Sequence, residues 1–460
     1  MAVLMRCLYC GLLQDEPQGV KICARCGGEL VFELRRTDRS YVRAQMELDQ
    51  IQAPADQIVD RYLAVTIQTP VQVPEEEAAP TASGREPMGF VAVLDVSGSM
   101  RGQKLAAAKE AARQAVRRLQ DGDIFSLVTF ASQVETVLEP VVVDRGLRDH
   151  VSGVLEGVQA SGSTALCGGL EAGVAAAEAR RQESNLVLLL SDGQANEGET
   201  DLEKIGQRAF AARKRGITTS TLGVGTDYNE ALMVEVATQG GGRFYHVLHA
   251  HQIVPYVAGE LGEASAVAAR AATARLTLPA GTGLYPLSAA YPVRQSGVSL
   301  GDIPVDTELE VVLRLLLPSQ AAGSRLPIEG TLAYRSPAGN ELETTLNVVT
   351  VRFVPTSEFE RRDGVVAPVV ERVLHHMQAR SVLGSARVAA LHGQAAAAEQ
   401  AKMSVAELHS YASLLGEEQA DELVAEQRAT FRSMAAAPAA SKAAVSLAYR
   451  RHRATRDFDS

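Results

Sequence analysis

In the stretch 89–101, GFVAVLDVSGSMR, the side chains of Asp95, Ser97 and Ser99 put one carboxylate and two hydroxyls within five residues. Hard oxygen donors at that density suit a small hard cation such as Mg²⁺, and Mn²⁺ or Ca²⁺ draw on the same donors. The same residues also fit a Ser/Asp-rich turn whose first hydroxyl caps the helix that follows. Two further stretches weigh on that choice. Asp192 follows the apolar run 185–190 in LLLSDG, and Thr164 sits in SGSTAL just before a helical pattern. If these loops all lie at the carboxyl ends of core strands, one sheet edge presents two carboxylates and at least three hydroxyls, where open α/β sheets bind their ligands. Two aspartates balance the charge of Mg²⁺, and the set is too small to close an octahedral shell. One position would stay open for water or for a partner's carboxylate.

A second set of candidate ligands lies near the N-terminus. Cys7-Leu-Tyr-Cys10-Gly and Cys23-Ala-Arg-Cys26-Gly are two CxxCG turns with twelve residues between Cys10 and Cys23. Each turn can aim two thiolates at one metal, and the glycine after the second Cys allows the tight reversal. Four thiolates in tetrahedral array select Zn²⁺ and leave no open position, so the site reads as structural. With a strand expected over 29–34, the segment resembles a zinc ribbon. About 30 residues cannot build their own core, so the metal would supply the folding energy.

The elements that must position the first cluster are legible as alternation. Residues 90–94 are a short apolar run with β-branched members, the pattern of a strand buried on both faces. Helices are expected over 105–119, 147–159, 165–181, 201–214, 228–239 and 251–261. Strands are expected over 123–130, 134–138 (an edge strand), 185–190, 218–224 and 242–247. Such alternation implies right-handed crossovers and a doubly wound, mainly parallel sheet covered on both faces.

The rest of the chain reads as a multidomain α/β protein. Residues 1–34 are assigned to the zinc ribbon and 35–60, polar and without a clear period, to a linker. Residues 61–87 hold an alternating strand followed by a Pro/Gly/acidic linker, 88–267 the α/β domain, and 268–355 short strands between Pro/Gly turns. The last set suggests a β-sandwich. The strand at 62–73 has no neighbour within the α/β part, so it is expected to pair there, with the α/β domain inserted into the sandwich. Residues 356–435 are Ala-, Glu- and Gln-rich, with breaks expected at Gly384 and Gly393, and 436–460 read as a flexible basic tail.

Composition sets the limits. With 46% hydrophobic and 22% charged residues over 460 positions, the chain is globular and should hold several domains. A net charge of −10 opposes a general nucleic-acid binder. No apolar run reaches the roughly 18 residues of a membrane span, and the start, MAVLMRCLYC, lacks the layout of a secretory signal. Five cysteines, four of them in a metal pattern, fit a reducing cytoplasm.

DVSGSM, GSTAL and LLLSDG, in that order, are the signature of von Willebrand factor A domains, which the stretch 88–265 resembles. DVSGSM fits that family's DxSxS motif. The resemblance implies a cation site, called MIDAS, with Asp95, Ser97, Ser99, Thr164 and Asp192 as ligands. It implies a non-enzymatic adaptor that captures a partner's Asp or Glu through the cation. The whole chain more loosely resembles multidomain prokaryotic proteins and inter-α-trypsin-inhibitor heavy chains, in which a sandwich accompanies the domain. Prokaryotic relatives often work beside MoxR-type AAA+ ATPases, which suggests that class of partner.

The sequence leaves two other readings open. A Mg²⁺-dependent hydrolase is one, since an open Mg²⁺ site can activate water. The nearest phosphatase signature, DxDx[TV], would need an Asp where Ser97 stands, and the chain holds neither a GxxxxGK[ST] phosphate loop nor a GxSxG elbow. Cys167, His246, His249, His251, His375 and His376 read as structural. A zinc-ribbon nucleic-acid factor is the other reading, resting only on Arg6, Lys21, Arg25, Arg35 and Arg36.

Overall fold

The computed structural model describes residues 40–78, 86–294 and 297–453, together with the backbone of three short strands before residue 40. Those strands, Leu4–Cys7, Leu13–Asp15 and Leu30–Phe32, form an antiparallel sheet with Leu4–Cys7 in the middle. Cys10, Cys23, Cys26 and the side chain of Cys7 lie outside the described residues, so the expected zinc site is not seen. The chain divides into two compact units, one of residues 1–78, 267–381 and 400–431, the other of residues 79–266, 382–399 and 432–460.

The second unit carries the candidate cation residues. Its six-stranded sheet runs in the order Gly241–Val247, Ile217–Val224, Ser184–Ser191, Met88–Asp95, Ile124–Phe130, Val134–Val142. All neighbours pair in parallel except the last, which lies antiparallel at the edge. The chain leaves Met88–Asp95 for strands on one side and returns to Ser184–Ser191 on the other. The order therefore reverses between these two central strands, which makes their carboxyl ends the switch point where α/β sheets hold ligands. Leu94 pairs with Leu190, so Asp95 and Ser191 emerge side by side.

Every residue of Met88–Asp95 is buried, as a strand covered on both faces requires. On one face Phe90, Ala92 and Leu94 pack with Leu186, Leu188 and Leu190 under the helix Gln103–Arg118, which buries Ala108, Ala111, Ala112 and Ala115. On the other, the helix Leu166–Ala179 comes so close that a Cβ on Gly173 would sit 2.4 Å from Val93 Cγ2. Asp144, Asp201 and Asn229 cap the helices Arg145–Gly157, Leu202–Lys214 and Glu230–Gly240 through their side chains.

This unit also contains a helix where a flexible tail was expected. Pro438–Arg453 buries Lys442, Val445 and Tyr449. The Tyr449 hydroxyl donates to the Gly242 carbonyl at 2.9 Å, and its ring meets Phe244 edge-on. Lys442 pairs with Glu230 at 2.8 Å. The run of basic residues in the sequence masked an apolar stripe at helical spacing. Residues 454–460 lie outside the described part.

In the first unit, the stretch 35–60 is not a linker throughout. It supplies the strands Arg43–Leu48 and Gln52–Pro54. The strand Val59–Gln68 pairs antiparallel with both Arg43–Leu48 and Glu308–Leu317, with Val65 opposite Val311. A fourth strand, Gly283–Pro286, completes that sheet, and a seven-stranded sheet is built mainly from residues 267–354. The pattern over 43–50 was obscured because Glu47 and Asp49 are buried. Arg372 pairs with Glu47 at 2.5 Å and with Glu310 at 3.0 Å. Helix residues Val369, Val370, Val373, Leu374 and Met377 cover Tyr62, Ala64 and Val312. The helix Ala367–Ala412 is interrupted only at Gly393, where φ is 83°, and it continues through Gly384. A second helix, Glu417–Ala436, follows.

Asp49 accepts from the Tyr62 amide at 2.9 Å and from the Tyr411 hydroxyl at 3.0 Å. Burial nevertheless pushes its carboxyl up to about 6, against the pull of Arg61 and these hydrogen bonds. The folded form thus holds a proton that the unfolded chain has released between its ordinary value and about pH 6. Stability from this group is full below the ordinary carboxylate range and is lost as pH rises through about 6. In urea melts of wild type and Asp49→Asn between pH 4 and 7, wild type should lose about 2–3 kcal/mol relative to the variant across that window. Parallel pH profiles for the two proteins would contradict this assignment.

Candidate metal centre

Asp95, Ser97, Ser99, Thr164 and Asp192 come together at the switch point. The strand Met88–Asp95 ends on Asp95, and a short 3₁₀ turn, Gly98–Met100, turns the chain over the strand end. The Ser97 amide donates to Asp95 Oδ1 at 2.8 Å, and the Ser97 and Ser99 hydroxyls lie 3.0 Å apart. From the next strand Ser191 donates its hydroxyl to Asp95 Oδ2 at 2.5 Å. Ser99 donates to Asp192 Oδ1 at 2.7 Å. Backbone bonds tie in the Thr164 loop, with Gly98 N donating to Gly162 O at 3.1 Å and Ser161 N to Val96 O at 2.8 Å. The Thr164 amide donates to Asn196 Oδ1 at 2.8 Å.

Asp95 and Asp192 are both fully buried, and Ser97 and Thr164 nearly so. Burial pushes the Asp95 carboxyl above its ordinary range; hydrogen bonds from Ser191 and Ser97 oppose the rise, and the Asp192 charge adds to it. A dry pair of carboxylates with that mutual repulsion is a place where added positive charge is stabilised.

The residues fit a divalent cation on two counts. The hydroxyl proton of Ser99 is directed at a carboxylate, which leaves lone pairs of that oxygen for a metal. A Cβ built on Gly193 would lie 3.1 Å from Thr164 Oγ1 and 3.7 Å from Asp95 Oδ2, so the glycine keeps the space between these two donors clear. Among the described residues no group of three or more His, Cys, Asp or Glu could hold a metal. The five residues here include only two carboxylates and rely on hydroxyls for the rest.

The structure adds participants that the motifs do not name. Ser191 is the hydroxyl partner of Asp95, and Asn196 fixes the Thr164 backbone. Lys104, on the first turn of Gln103–Arg118, forms an ion pair with Asp192. One signal for Lys104 was present in the sequence: a cation at a helix N-terminus opposes the helix dipole and needs a compensating anion.

The other candidates stay apart from this centre. Cys167 is buried in Leu166–Ala179, and burial pushes its thiol up, away from nucleophilic use. His246 Nδ1 lies 2.7 Å from the Tyr228 hydroxyl, and burial pushes it down to about 4. His376 meets Glu310 at 3.1 Å in the first unit. The rings of His249 and His251 stack on each other.

The family model of the von Willebrand factor type A domain matches residues 90–254. An uncharacterized protein of Synechocystis sp. is 26% identical over 70% of this chain and 80% of its own length. The Escherichia coli protein YfbK is 30% identical over 34% of this chain, and human inter-alpha-trypsin inhibitor heavy chain H3 is 28% identical over a similar share. The aligned parts span only 28% and 18% of those two relatives. Two solved structures share the fold over nearly the whole chain. The von Willebrand factor type A protein from Catenulispora acidiphila superposes with a TM-score of 0.62 at 17% identity, over 92% of this chain and 99% of that one. The ArnB paralog VWA2 from Sulfolobus acidocaldarius gives 0.59 at 18%, over 90% and 99%. Residues 90–254 are therefore a von Willebrand factor type A domain, and the chain is similar to bacterial proteins that carry it and to the inter-alpha-trypsin inhibitor heavy chains.

Proposed function

We propose that the domain is a protein-binding module that captures an aspartate or glutamate of a partner through a divalent cation. The cation, Mg²⁺ or alternatively Mn²⁺ or Ca²⁺, is held by Asp95, Ser97, Ser99, Thr164 and Asp192. The observation that carries this reading is the convergence of these five residues around a gap kept open by Gly193. Domains of this family generally mediate protein–protein interaction, which supports the same reading. Two carboxylates and three hydroxyls leave the cation short of a full shell, and an incoming carboxylate is a hard donor of matching charge. The centre lacks a second acid/base group in the position that hydrolysis needs, since Ser97 stands there. An adaptor role without catalysis is the better fit.

We also read Cys7, Cys10, Cys23 and Cys26 as the ligands of a structural Zn²⁺. The strand Leu4–Cys7 ends on the first cysteine of the first CxxC motif and pairs antiparallel with Leu13–Asp15, which supports a metal-closed site. Thiolate ligands need a reducing compartment, and we place the protein in the cytoplasm on that ground. Among the described residues no helix is long and apolar enough to cross a membrane. An AAA+ ATPase of the MoxR type is the partner class to examine first. We read the two sheets of the first unit as a β-sandwich.

Affinity capture from lysate with Mg²⁺ or with EDTA, followed by mass spectrometry, tests the adaptor role. Wild type should retain a partner in Mg²⁺ and lose at least about tenfold of it in EDTA, a difference of roughly 1.4 kcal/mol. Asp95→Ala should behave in Mg²⁺ as wild type does in EDTA, with an unchanged far-UV spectrum. Capture indifferent to both treatments would sink the proposal. For the zinc site, elemental analysis should give about one Zn per chain, as four thiolates on one metal require. Replacing Cys7 and Cys26 by Ser should remove it, and a metal-free wild-type protein would rule the site out.

A further inference from the structure

Lys104 is the one cation that touches the proposed ligands directly among the described residues. Its ammonium pairs with Asp192 Oδ2, while Ser99 donates to Asp192 Oδ1. Asp192 has no exposed side-chain surface, whereas the Lys104 side chain is 30% exposed. The buried carboxylate is therefore neutralised by a charge that reaches in from the rim on a flexible four-carbon stem. Such a stem can swing out to water without moving the helix that bears it. A divalent cation held by Asp192 would compete with that ammonium for the same carboxylate, and like charges sharing it repel.

We propose that Lys104 is a resident counter-ion that a divalent cation must displace. It holds Asp192 and Ser99 in place while the site carries no metal. By occupying Asp192 Oδ2 it also sets the concentration of cation at which the site fills. The inference rests on the cation reading given under Proposed function, and it deepens that reading by naming what regulates occupancy. Without Lys104, Asp192 would be a buried carboxylate with only Ser99 to satisfy it among the described residues. The metal-free protein should then be less stable and the metal-bound protein tighter.

The test is calorimetric titration of MnCl₂ into the full chain, stripped beforehand with EDTA and dialysed. Wild type, Lys104→Met, Lys104→Arg and Asp95→Ala are compared, and binding that Asp95→Ala abolishes is taken as this site's. Lys104→Met should bind Mn²⁺ about tenfold more tightly than wild type, and Lys104→Arg within about threefold of it. The melting temperature of metal-free Lys104→Met should fall below that of wild type and rise further on adding Mn²⁺. Should the Met variant fail to fold without metal, Lys104→Gln carries the same expectation. Equal or weaker Mn²⁺ binding in the Met or Gln variant, with wild type binding normally, would overturn the counter-ion role and leave the cation site standing. Absence of any Asp95-dependent binding in wild type and in the Lys104 variants would overturn the cation reading itself.

Discussion

The hydrogen bond from Ser191 to Asp95 is the interaction on which the centre depends. It joins the ends of the two central strands at the point where the sheet order reverses. Asp95 is wholly buried and has no cation among its hydrogen-bond partners in the described residues. The Ser191 hydroxyl and the Ser97 amide supply the donors that such a carboxylate requires. The register that sets Leu94 against Leu190 delivers Ser191 to that spot. A slip of one residue would turn Asp95 and Ser191 to opposite faces of their strands.

The rest of the centre is arranged around that fixed point. Asp192 follows Ser191 and faces the helix that begins at Gln103, so its carboxylate meets Ser99 from the loop and Lys104 from the first helical turn. The Thr164 loop is held by main-chain bonds to Val96 and Gly98 and by Asn196. Three chain segments far apart in sequence thus meet in one polar cluster at the end of an apolar sheet. Low dielectric around it strengthens the repulsion between the two aspartates, and so raises the affinity for whatever positive charge balances them. Lys104 supplies that charge in the structure.

The first unit handles buried charge differently. Glu47, Glu310 and His376 gather around Arg372, and Asp49 lies beside Arg61 under Tyr411. Burial would raise Glu310, but hydrogen bonds from His376 and Arg372 outweigh it and hold the carboxyl below its usual range. These pairs join strand and helix within the unit. Desolvation offsets much of the attraction in buried ion pairs of this kind, so they add little to net stability. They also explain why the strand Arg43–Leu48 escaped detection, because an acidic residue reads as solvent-facing until its partner is known. The partner, Arg372, lies more than 300 positions away.

What the sequence determined by itself is the α/β alternation, the buried central strand and the five-residue constellation of Asp95, Ser97, Ser99, Thr164 and Asp192. Each depends on local information: apolar runs of strand length, helical spacing, and motifs confined to single loops. The strand expected at 62–73 is legible for the same reason, although it runs over Val59–Gln68 in the fold. Its partners Glu308–Leu317 and Arg43–Leu48 were settled only by tertiary pairing. The docking of Pro438–Arg453, the continuity of the helix through Gly384 and the ion pair of Lys104 with Asp192 likewise belong to the folded chain. The first and last of these join residues whose separation along the sequence carries no periodic signal, and the helix passes Gly384 because one glycine lowers helix propensity without ending it. A basic helix reads as a tail until Tyr449 finds the Gly242 carbonyl, and a lysine reads as surface until a buried carboxylate lies within its reach.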